Sequence, residues 1–144
     1  MFQIRVMTID DYDVLIQLMR ITAGVSVRNA DSWESTLRYL ERNPGLSFVA
    51  EIGGAIVGCI MAGHDGRRGY LQHLLVLPEH RRKGIANALV KQCLLELEGL
   101  GIKKSHIDVL KANSIASKFW TRNGWKLRTD IDRYSIITGG SENA

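Results

Sequence analysis

An apolar run followed by a basic, glycine-containing loop constrains how this chain can fold more than any other stretch. Residues 74–77 are uninterrupted apolar residues of strand length, which is typical of a strand buried on both faces. Pro78 then lacks the backbone N–H that would continue a ladder. Beyond the loop, apolar residues recur at helical spacing: Ile85, Leu89, Cys93, Leu97 and Leu100, with Ala86, Val90 and Leu94 widening the stripe. The stretch predicts a strand, a short loop and a helix.

The loop between this strand and helix has the composition of an anion-binding site. Gly84 and Ala86 carry little or no side chain, so a ligand can approach the backbone there. The first-turn N–H groups of a helix have no helical acceptor and lie at the positive end of its dipole. Arg81, Arg82 and Lys83 add positive charge beside them. A phosphate or pyrophosphate is therefore the expected ligand.

Three sequence blocks carry a resemblance to a known family. Residues 81–86, Arg-Arg-Lys-Gly-Ile-Ala, resemble the acetyl-coenzyme A signature (Gln or Arg)-x-x-Gly-x-(Gly or Ala) of the GNAT superfamily of N-acetyltransferases. Leu74-x-Val76-x-Pro78 precedes that block at the family's usual offset. Residues 113–125, Asn-x-x-Ala-x-x-Phe-Trp-x-x-Asn-Gly-Trp, are similar to the family's second motif. The resemblance extends over residues 4–137. Within the family, the chain is similar to the small bacterial ribosomal-protein-acetyltransferase-like branch.

The fold class follows from the order of local patterns and from the resemblance. With 144 residues, 45% hydrophobic and 24% charged, the chain has the size and composition of one globular domain. We predict a single domain over residues 1–138 and a polar tail at 139–144. The expected fold is α/β (α+β), the GNAT fold, with a mixed central sheet of about six or seven strands and two helices on each face.

Turn and capping signals place the predicted elements. A capping box at residues 8–11 predicts the first helix, and Gly53-Gly54 predicts a hairpin. Gly99-Leu100-Gly101 predicts the end of the central helix. A second predicted helix contains Trp33, Leu37 and Leu40 and ends at residues 43–45. A short helix is predicted at residues 114–123. The predicted strands cover residues 2–6, 47–52, 55–62, 71–77, 104–110, 125–128 and 133–137.

Charge and cysteine usage limit the classes of partner and the location. The net charge of +4 comes from short basic clusters, and no aromatic residues interleave with them as a nucleic-acid platform requires, so no nucleic-acid partner is expected. No apolar run approaches a membrane span, and the first residues lack the apolar region of a signal peptide. Cys59 and Cys93 lie in apolar patterns, which favours reduced core cysteines over a disulfide or a metal pair. We expect a cytoplasmic protein with no membrane partner and no metal.

The resemblance implies an activity. It implies transfer of an acetyl group from the cosubstrate acetyl-coenzyme A to a primary amine of a small molecule, an amino acid or a protein N-terminus, by direct attack in a ternary complex. The alternative on the same fold is a non-catalytic acetyl-coenzyme A sensor or interaction module. Either a monomer or a homodimer is compatible with the sequence.

The resemblance also assigns residues to the cofactor. The strand before the loop contributes main-chain groups to the pantetheine arm and thioester, and the loop holds the pyrophosphate. The full predicted set is Leu74, Leu75, Val76, Arg81, Arg82, Lys83, Gly84, Ile85, Ala86, Asn87, Asn113, Ser117 and Trp120. Two of these residues have a structural interpretation as well, since Asn113 is a suitable N-cap for the following helix and Trp120 is suited to core packing.

Two departures from the family pattern bear on the chemistry. Trp120 stands where similar proteins often have a tyrosine that protonates the thiolate, and an indole N–H has no usable acidity. Tyr134 is a candidate substitute. Asp108 stands where ribosomal-protein N-terminal acetyltransferases have a glutamate base, and we predict it as the catalytic base, with His106 as a possible assistant. This hypothesis requires a desolvated carboxylate, because an ordinary aspartate is too acidic for an efficient base at neutral pH.

Overall fold

The computed structural model describes all 144 residues, 1–144, with five strands and four α-helices. In chain order these are β1 (Gln3–Val6), α1 (Tyr12–Ile21), α2 (Trp33–Arg42), β2 (Phe48–Ile52), β3 (Ala55–His64), β4 (Gly69–Val76), α3 (Ile85–Gly99), β5 (Ser105–Ile107) and α4 (Ser114–Arg122). The chain packs as two compact units, Met1–Ile107 and Asp108–Ala144. The longest helix, α3, has 15 residues, and none of the helices is long and apolar enough to cross a bilayer.

All five strands lie in the first unit and form one sheet in the order β1-β2-β3-β4-β5. Neighbouring strands from β1 to β4 are antiparallel, whereas β4 and β5 are parallel. The predicted hairpin is confirmed, because Ile52 pairs with Ala55 across Gly53-Gly54. A mixed sheet with helices is the predicted α/β fold class, which the structure confirms.

Helices cover both faces of this sheet. One face packs against α1 in a buried cluster of Met7, Leu15, Ile16, Met19, Val49, Cys59, Met61 and Leu75, with Tyr39 and Leu40 of α2 at its border. The opposite face packs against α3, since a Cβ at Gly58 would lie 3.4 Å from Ile85 Cγ2 and successive strand residues point to opposite faces. Cys59 and Cys93 are buried free cysteines, as predicted, and burial raises the pKa of each thiol to about 12.

A β-bulge interrupts the central strand. Cys59 pairs with Leu75, but Met61 pairs with Gln72, so two steps along β3 match three steps along β4. The extra residue falls at His73, whose φ of 52° lies in the left-handed region. The bulge shifts the alternation of β4 by one residue, so that Gln72 and Leu75 face the same side of the sheet.

The predicted strand count was wrong. The sheet has five strands, because residues 125–128 and 133–137 form no strand and the predicted strand at 104–110 shortens to Ser105–Ile107. Leu127, Tyr134 and Ile136 are between 87% and 91% exposed. Alternating apolar residues match a strand pattern, but a ladder forms only with a neighbouring strand, and none pairs with these segments. Of the predicted two helices on each face, α1 and α2 lie on one face and α3 on the other, while α4 belongs to the second unit.

Several helix ends match the sequence signals. The Asn113 side chain accepts a hydrogen bond from the Ala116 N–H at 3.1 Å, which confirms its N-cap role. At the end of α3, the Gly101 N–H donates to the Glu98 carbonyl and the Ile102 N–H to the Leu97 carbonyl. This glycine-containing end is the predicted C-cap.

An ion-pair cluster ties β1 to the start of α1. The Arg5 guanidinium donates two hydrogen bonds to the Asp11 carboxylate, at 2.8 and 2.9 Å, and also contacts Glu51 at 3.2 Å. The Thr8 N–H donates to the same Asp11 carboxylate at 2.9 Å. The bonds from Arg5 lower the pKa of Asp11, because together with the Thr8 bond they outweigh the raising effect of burial.

We expect Asp11→Asn to lower the free energy of unfolding at pH 7 by about 1–3 kcal/mol, because a partly buried charge pair is broken. An unfolded aspartate has a pKa of about 3.9, and the folded value is lower, so the folded protein binds fewer protons. The contribution of Asp11 is therefore present above pH 4 and is lost as the pH falls below it. Urea midpoints measured from pH 7 to pH 3 should show the gap between wild type and Asp11→Asn narrowing, with the exposed Asp10→Asn as the control. A gap that is constant with pH would contradict this role.

Gly84 and Gly99 lie at opposite ends of α3. Comparing alanine substitutions at the two positions tests whether the backbone at Gly84 is left-handed. A Cβ would have no atom within 4 Å at either position, but Gly84 has a φ of 81°. Gly84→Ala should therefore lower the free energy of unfolding by about 1–2 kcal/mol, while Gly99→Ala should raise it by up to about 1 kcal/mol. Denaturant unfolding of the two variants measures this, and shifts of the same sign would rule out the left-handed cap.

Candidate functional site

The predicted anion site is a loop and helix start at the end of the central strand. After β4, a 3₁₀ turn (Pro78–His80) leads to Gly84, which is the left-handed N-cap of α3. The Arg81 Nε donates to the Val76 carbonyl at 3.0 Å and so fixes the loop to the end of β4. Residues 81–87 therefore form the end of this loop, the N-cap and the first turn of α3.

This helix start presents unpaired donors and positive charge. The first helical hydrogen bond runs from the Ala88 N–H to the Gly84 carbonyl, which leaves the N–H groups of residues 85–87 without a helical acceptor. Arg82, Lys83 and Asn87 are exposed, and the first turn contains no acidic residue. Lys83 Nζ lies 3.2 Å from His80 Nδ1. Donors, helix dipole and cationic side chains together form a site suited to a pyrophosphate.

The edge of β4 that leads to this loop is open. Pairing between β4 and β5 covers only Gly69 to Leu71, so the main chain from Gln72 to Val76 has no strand beside it on that side. An extended ligand with amide groups can hydrogen-bond to such an edge as an added strand does. Leu75 and Val76 are only 3% and 7% exposed as whole residues, so their side chains remain in the core.

A histidine–aspartate pair lies at the bulge on the α1/α2 side of the sheet. His73 Nε2 is 2.7 Å from Asp31 Oδ1, and the two side chains are 15% and 12% exposed. Asp31 lies in the turn before α2, where its other carboxylate oxygen accepts the Arg28 N–H at 2.8 Å. The Tyr12 hydroxyl donates to the Asp31 carbonyl at 2.6 Å, which holds the turn against α1.

The charge state of Asp31 determines the tautomer of His73. Burial alone would raise the pKa of Asp31, but the hydrogen bonds from His73 and from the Arg28 N–H outweigh it, and the pKa is lowered. An ionised carboxylate only accepts hydrogen bonds, so the His73 Nε2 carries a proton. In the neutral ring, Nδ1 then has the free lone pair. An imidazole oriented by a carboxylate in this way is the usual arrangement of a general base.

A pocket of about 400 Å³ is lined by Asp31 of this pair and by Gln72, the neighbour of His73 on β4, but not by His73 itself. Its polar lining includes Asp31, Ser35, Arg38, Tyr39, Arg42 and Gln72, from α2, the turn before it and β4. Burial raises the pKa of the Tyr39 hydroxyl more than its side-chain hydrogen bond with Gln72 lowers it. The volume and the mixed polar lining fit a small-molecule ligand.

The predicted base belongs to the second unit and lies beyond the end of β5. The Asp108 side chain is 71% exposed, and its carboxylate forms an ion pair with Arg133 at 3.1 Å. The shared strand face expected for Asp108 and His106 is absent, since β5 ends at Ile107. The His106 ring instead packs near the Tyr70 ring, with centroids 5.7 Å apart. The desolvation that the base hypothesis requires is not provided at this exposed position.

The other predicted residues of the second unit lie on or beside α4. Trp120 is 6% exposed and makes edge contacts with the rings of Phe119 and Trp125, at centroid distances of 5.1 and 4.7 Å. Ser117 is exposed on the same helix, while Asn113 caps it. Trp120 therefore has the packing role that the sequence allowed.

Sequence reasoning missed His73 and Asp31. Periodicity along β4 could not reveal the bulge that places His73 beside the turn before α2, and no sequence motif distinguished Asp31. The one available signal was a single imidazole in an otherwise apolar half of the central strand.

Comparison with known proteins agrees with this architecture. The family profile described as Acetyltransferase (GNAT) family matches residues 13–125. An acetyltransferase of Pectobacterium atrosepticum is 37% identical over 77% of this chain and 78% of its own length. An acetyltransferase of Sodalis glossinidius is 32% identical over 90% of both chains. The crystal structure of the PaiA N-acetyltransferase from Thermoplasma acidophilum, in complex with coenzyme A, is similar in fold, with a TM-score of 0.81, 24% identity and coverage of 92% of this chain and 93% of that one.

The profile match over residues 13–125 includes the central strand, the basic glycine loop and the second motif, and the two relatives match 77% and 90% of the chain. The chain belongs to the GNAT family of acetyltransferases and is an acyltransferase.

Proposed function

We propose that this protein transfers an acetyl group from acetyl-coenzyme A to a primary amine by direct attack in a ternary complex. The observation that carries the proposal is the positively charged start of α3 beside the open edge of β4. A pyrophosphate and an amide-containing arm are the two parts of coenzyme A that such a surface fits. The similar PaiA structure is a complex with coenzyme A, which supports this assignment.

The cofactor would lie along the end of β4 and the start of α3. The N–H groups of Ile85, Ala86 and Asn87, with Arg82 and Lys83, would bind the pyrophosphate, and Arg81 would hold the loop in place. Leu74, Leu75 and Val76 would offer main-chain groups to the pantetheine arm. Asn113, Ser117 and Trp120 remain proposed contacts on the basis of the family resemblance. We further propose that residues 1–138 act as one catalytic domain, in the cytoplasm, as a monomer or homodimer.

Acetyl-coenzyme A supplies a thioester, at whose carbonyl carbon a C–N bond to the amine forms while the C–S bond breaks. The attacking amine must be neutral, and its nitrogen must lose one further proton as the amide forms. We assign that proton to the His73 Nδ1, because Nε2 is already bound to Asp31. The resulting imidazolium is stabilised by the Asp31 carboxylate, and the leaving thiolate takes up one proton, which completes the balance.

There are therefore two candidates for the catalytic base, Asp108 and His73. Asp108 is supported by the family resemblance, but it is exposed and paired with Arg133. His73 is largely buried and oriented by a carboxylate beside a pocket of suitable size. We favour His73 as the base and keep Asp108 as the alternative.

The cofactor site is tested by ligand-induced stabilisation. Acetyl-coenzyme A at 100 times its Kd should stabilise the wild-type protein by about 3 kcal/mol, or roughly 5–10 °C in melting temperature. Gly84→Glu should abolish this shift, because it places bulk and negative charge against the pyrophosphate. Gly99→Glu introduces the same side chain at the other end of α3 and should retain the shift. Equal shifts in wild type and Gly84→Glu would show that the site is misassigned.

The base is tested by comparing His73→Gln with Asp108→Asn in an assay of coenzyme A release with an accepted amine. His73→Gln should lower kcat by about 10²–10⁴-fold, whereas Asp108→Asn should change it little. The loss should shrink as the pH rises, because free amine and hydroxide become more abundant. A large loss in Asp108→Asn alone would restore the assignment made from sequence. Cofactor binding without turnover of any amine would favour a non-catalytic acetyl-coenzyme A module.

A further inference from the structure

The pocket beside the His73–Asp31 pair carries positive charge along one wall. Arg38 and Arg42 both line it from α2. They are four residues apart, so they project from the same helix face, about 6 Å apart along the axis. The two arginine side chains therefore contribute positive charge to the same pocket.

Neither guanidinium forms an ion pair with a carboxylate of the protein. Arg38 Nη2 donates to the Ser35 hydroxyl at 3.3 Å, which orients the side chain without cancelling its charge. The ion pairs of the structure involve Arg5, His73, Arg128 and Arg133, and neither pocket arginine is among them. A guanidinium has a planar set of donors that matches a carboxylate, and two of them at one site favour an anionic group.

The pocket also contains a negative charge. Asp31 lines it from the turn before α2, away from Arg42 at the last residue of that helix, and its ionised carboxylate attracts an arriving ammonium group. Gln72, next to His73 on β4, and Met61 also line the pocket. The pocket thus provides an anionic end next to the proposed base and a cationic end on α2.

We propose that the acetyl acceptor is a small zwitterionic molecule, with its amine at the His73–Asp31 end and a carboxylate bound by Arg38 and Arg42. This inference rests on the proposed acetyl transfer and specifies its substrate class. A volume of about 400 Å³ is large enough for an acceptor of amino-acid size. A diamine would place its second ammonium group against two guanidinium groups and is disfavoured.

The test uses acceptors that differ only in the carboxylate. Alanine is compared with alaninamide, and 4-aminobutyrate with 4-aminobutanamide and 1,4-diaminobutane, in the coenzyme A release assay with the full-length protein. We expect kcat/KM to be at least about 10-fold higher for the best acid than for its amide, since charge-assisted hydrogen bonds are lost with the amide. The carboxylate also makes the amine more basic and so less available as free amine, which works against the expected preference.

Variants identify the residues that produce the preference. Arg38→Gln, Arg42→Gln and the double variant should lower the acid-to-amide ratio of kcat/KM by about 10-fold or more, because only the acid loses charge-assisted hydrogen bonds. Arg67→Gln, an exposed arginine in the turn before β4, is the matched control and should leave the ratio unchanged. A purely structural role for the α2 arginines would lower both rates together and leave the ratio unchanged.

A binding measurement keeps the inference separate from the proposed activity. Melting temperatures are measured with the same acids and amides, for wild type and for the double arginine variant. Selective stabilisation by the acids that disappears in the double variant supports the acceptor class, even where no amine is turned over. Equal effects of acid and amide in both binding and turnover overturn the inference, and the acetyl-transfer proposal is judged independently by the Gly84→Glu comparison.

Discussion

The pairing of β3 with β4 around one extra residue is the constraint on which the rest of this structure depends. Without the bulge at His73, strict alternation would direct Leu75 and Gln72 to opposite faces of the sheet. With it, Leu75 enters the core under α1 while Gln72 lines the pocket beside α2. Because of this one inserted residue, the apolar Leu75 and the polar Gln72, three residues earlier, face the same side of the sheet. The left-handed backbone of His73 is the strain that accompanies this change, and such strain is common at functional sites.

The same strand separates the two charge environments of the proposed reaction. Its end leads to a basic loop and an unpaired helix start that suit a polyanionic cosubstrate. Its bulge lies beside Asp31, whose carboxylate is hydrogen-bonded to the His73 ring. The open edge from Gln72 to Val76 joins these two regions, since β5 pairs only with the first residues of β4. An acyl donor extended along that edge would bring its reactive end towards the bulge, where the base and the acceptor pocket lie.

Features encoded by neighbouring residues could be predicted from the sequence, and features that depend on distant pairing could not. The helix start at Ile85, the Gly53-Gly54 hairpin and the Asn113 cap are each specified by a few consecutive residues, and the structure confirms all three. The bulge depends on how β3 and β4 align, so no local pattern revealed the pairing of His73 with Asp31, 42 residues away. The prediction of two final strands was wrong for the same reason. The alternation near Leu127 and Tyr134 does not show whether a partner strand is present.

The proposed base also accounts for the missing acid at Trp120. A tyrosine there would protonate the leaving thiolate, but a thiolate is a much weaker base than an amide or alkoxide ion and departs with little assistance. The greater difficulty lies on the amine side, because the amine must be neutral to attack and its nitrogen must lose a further proton as the amide forms, which is the proton assigned to His73. A chain that keeps a carboxylate-oriented imidazole beside the acceptor pocket can therefore dispense with an acid on α4. Trp120 is then free to pack between Phe119 and Trp125, and its edge contacts with both rings are those of a structural residue.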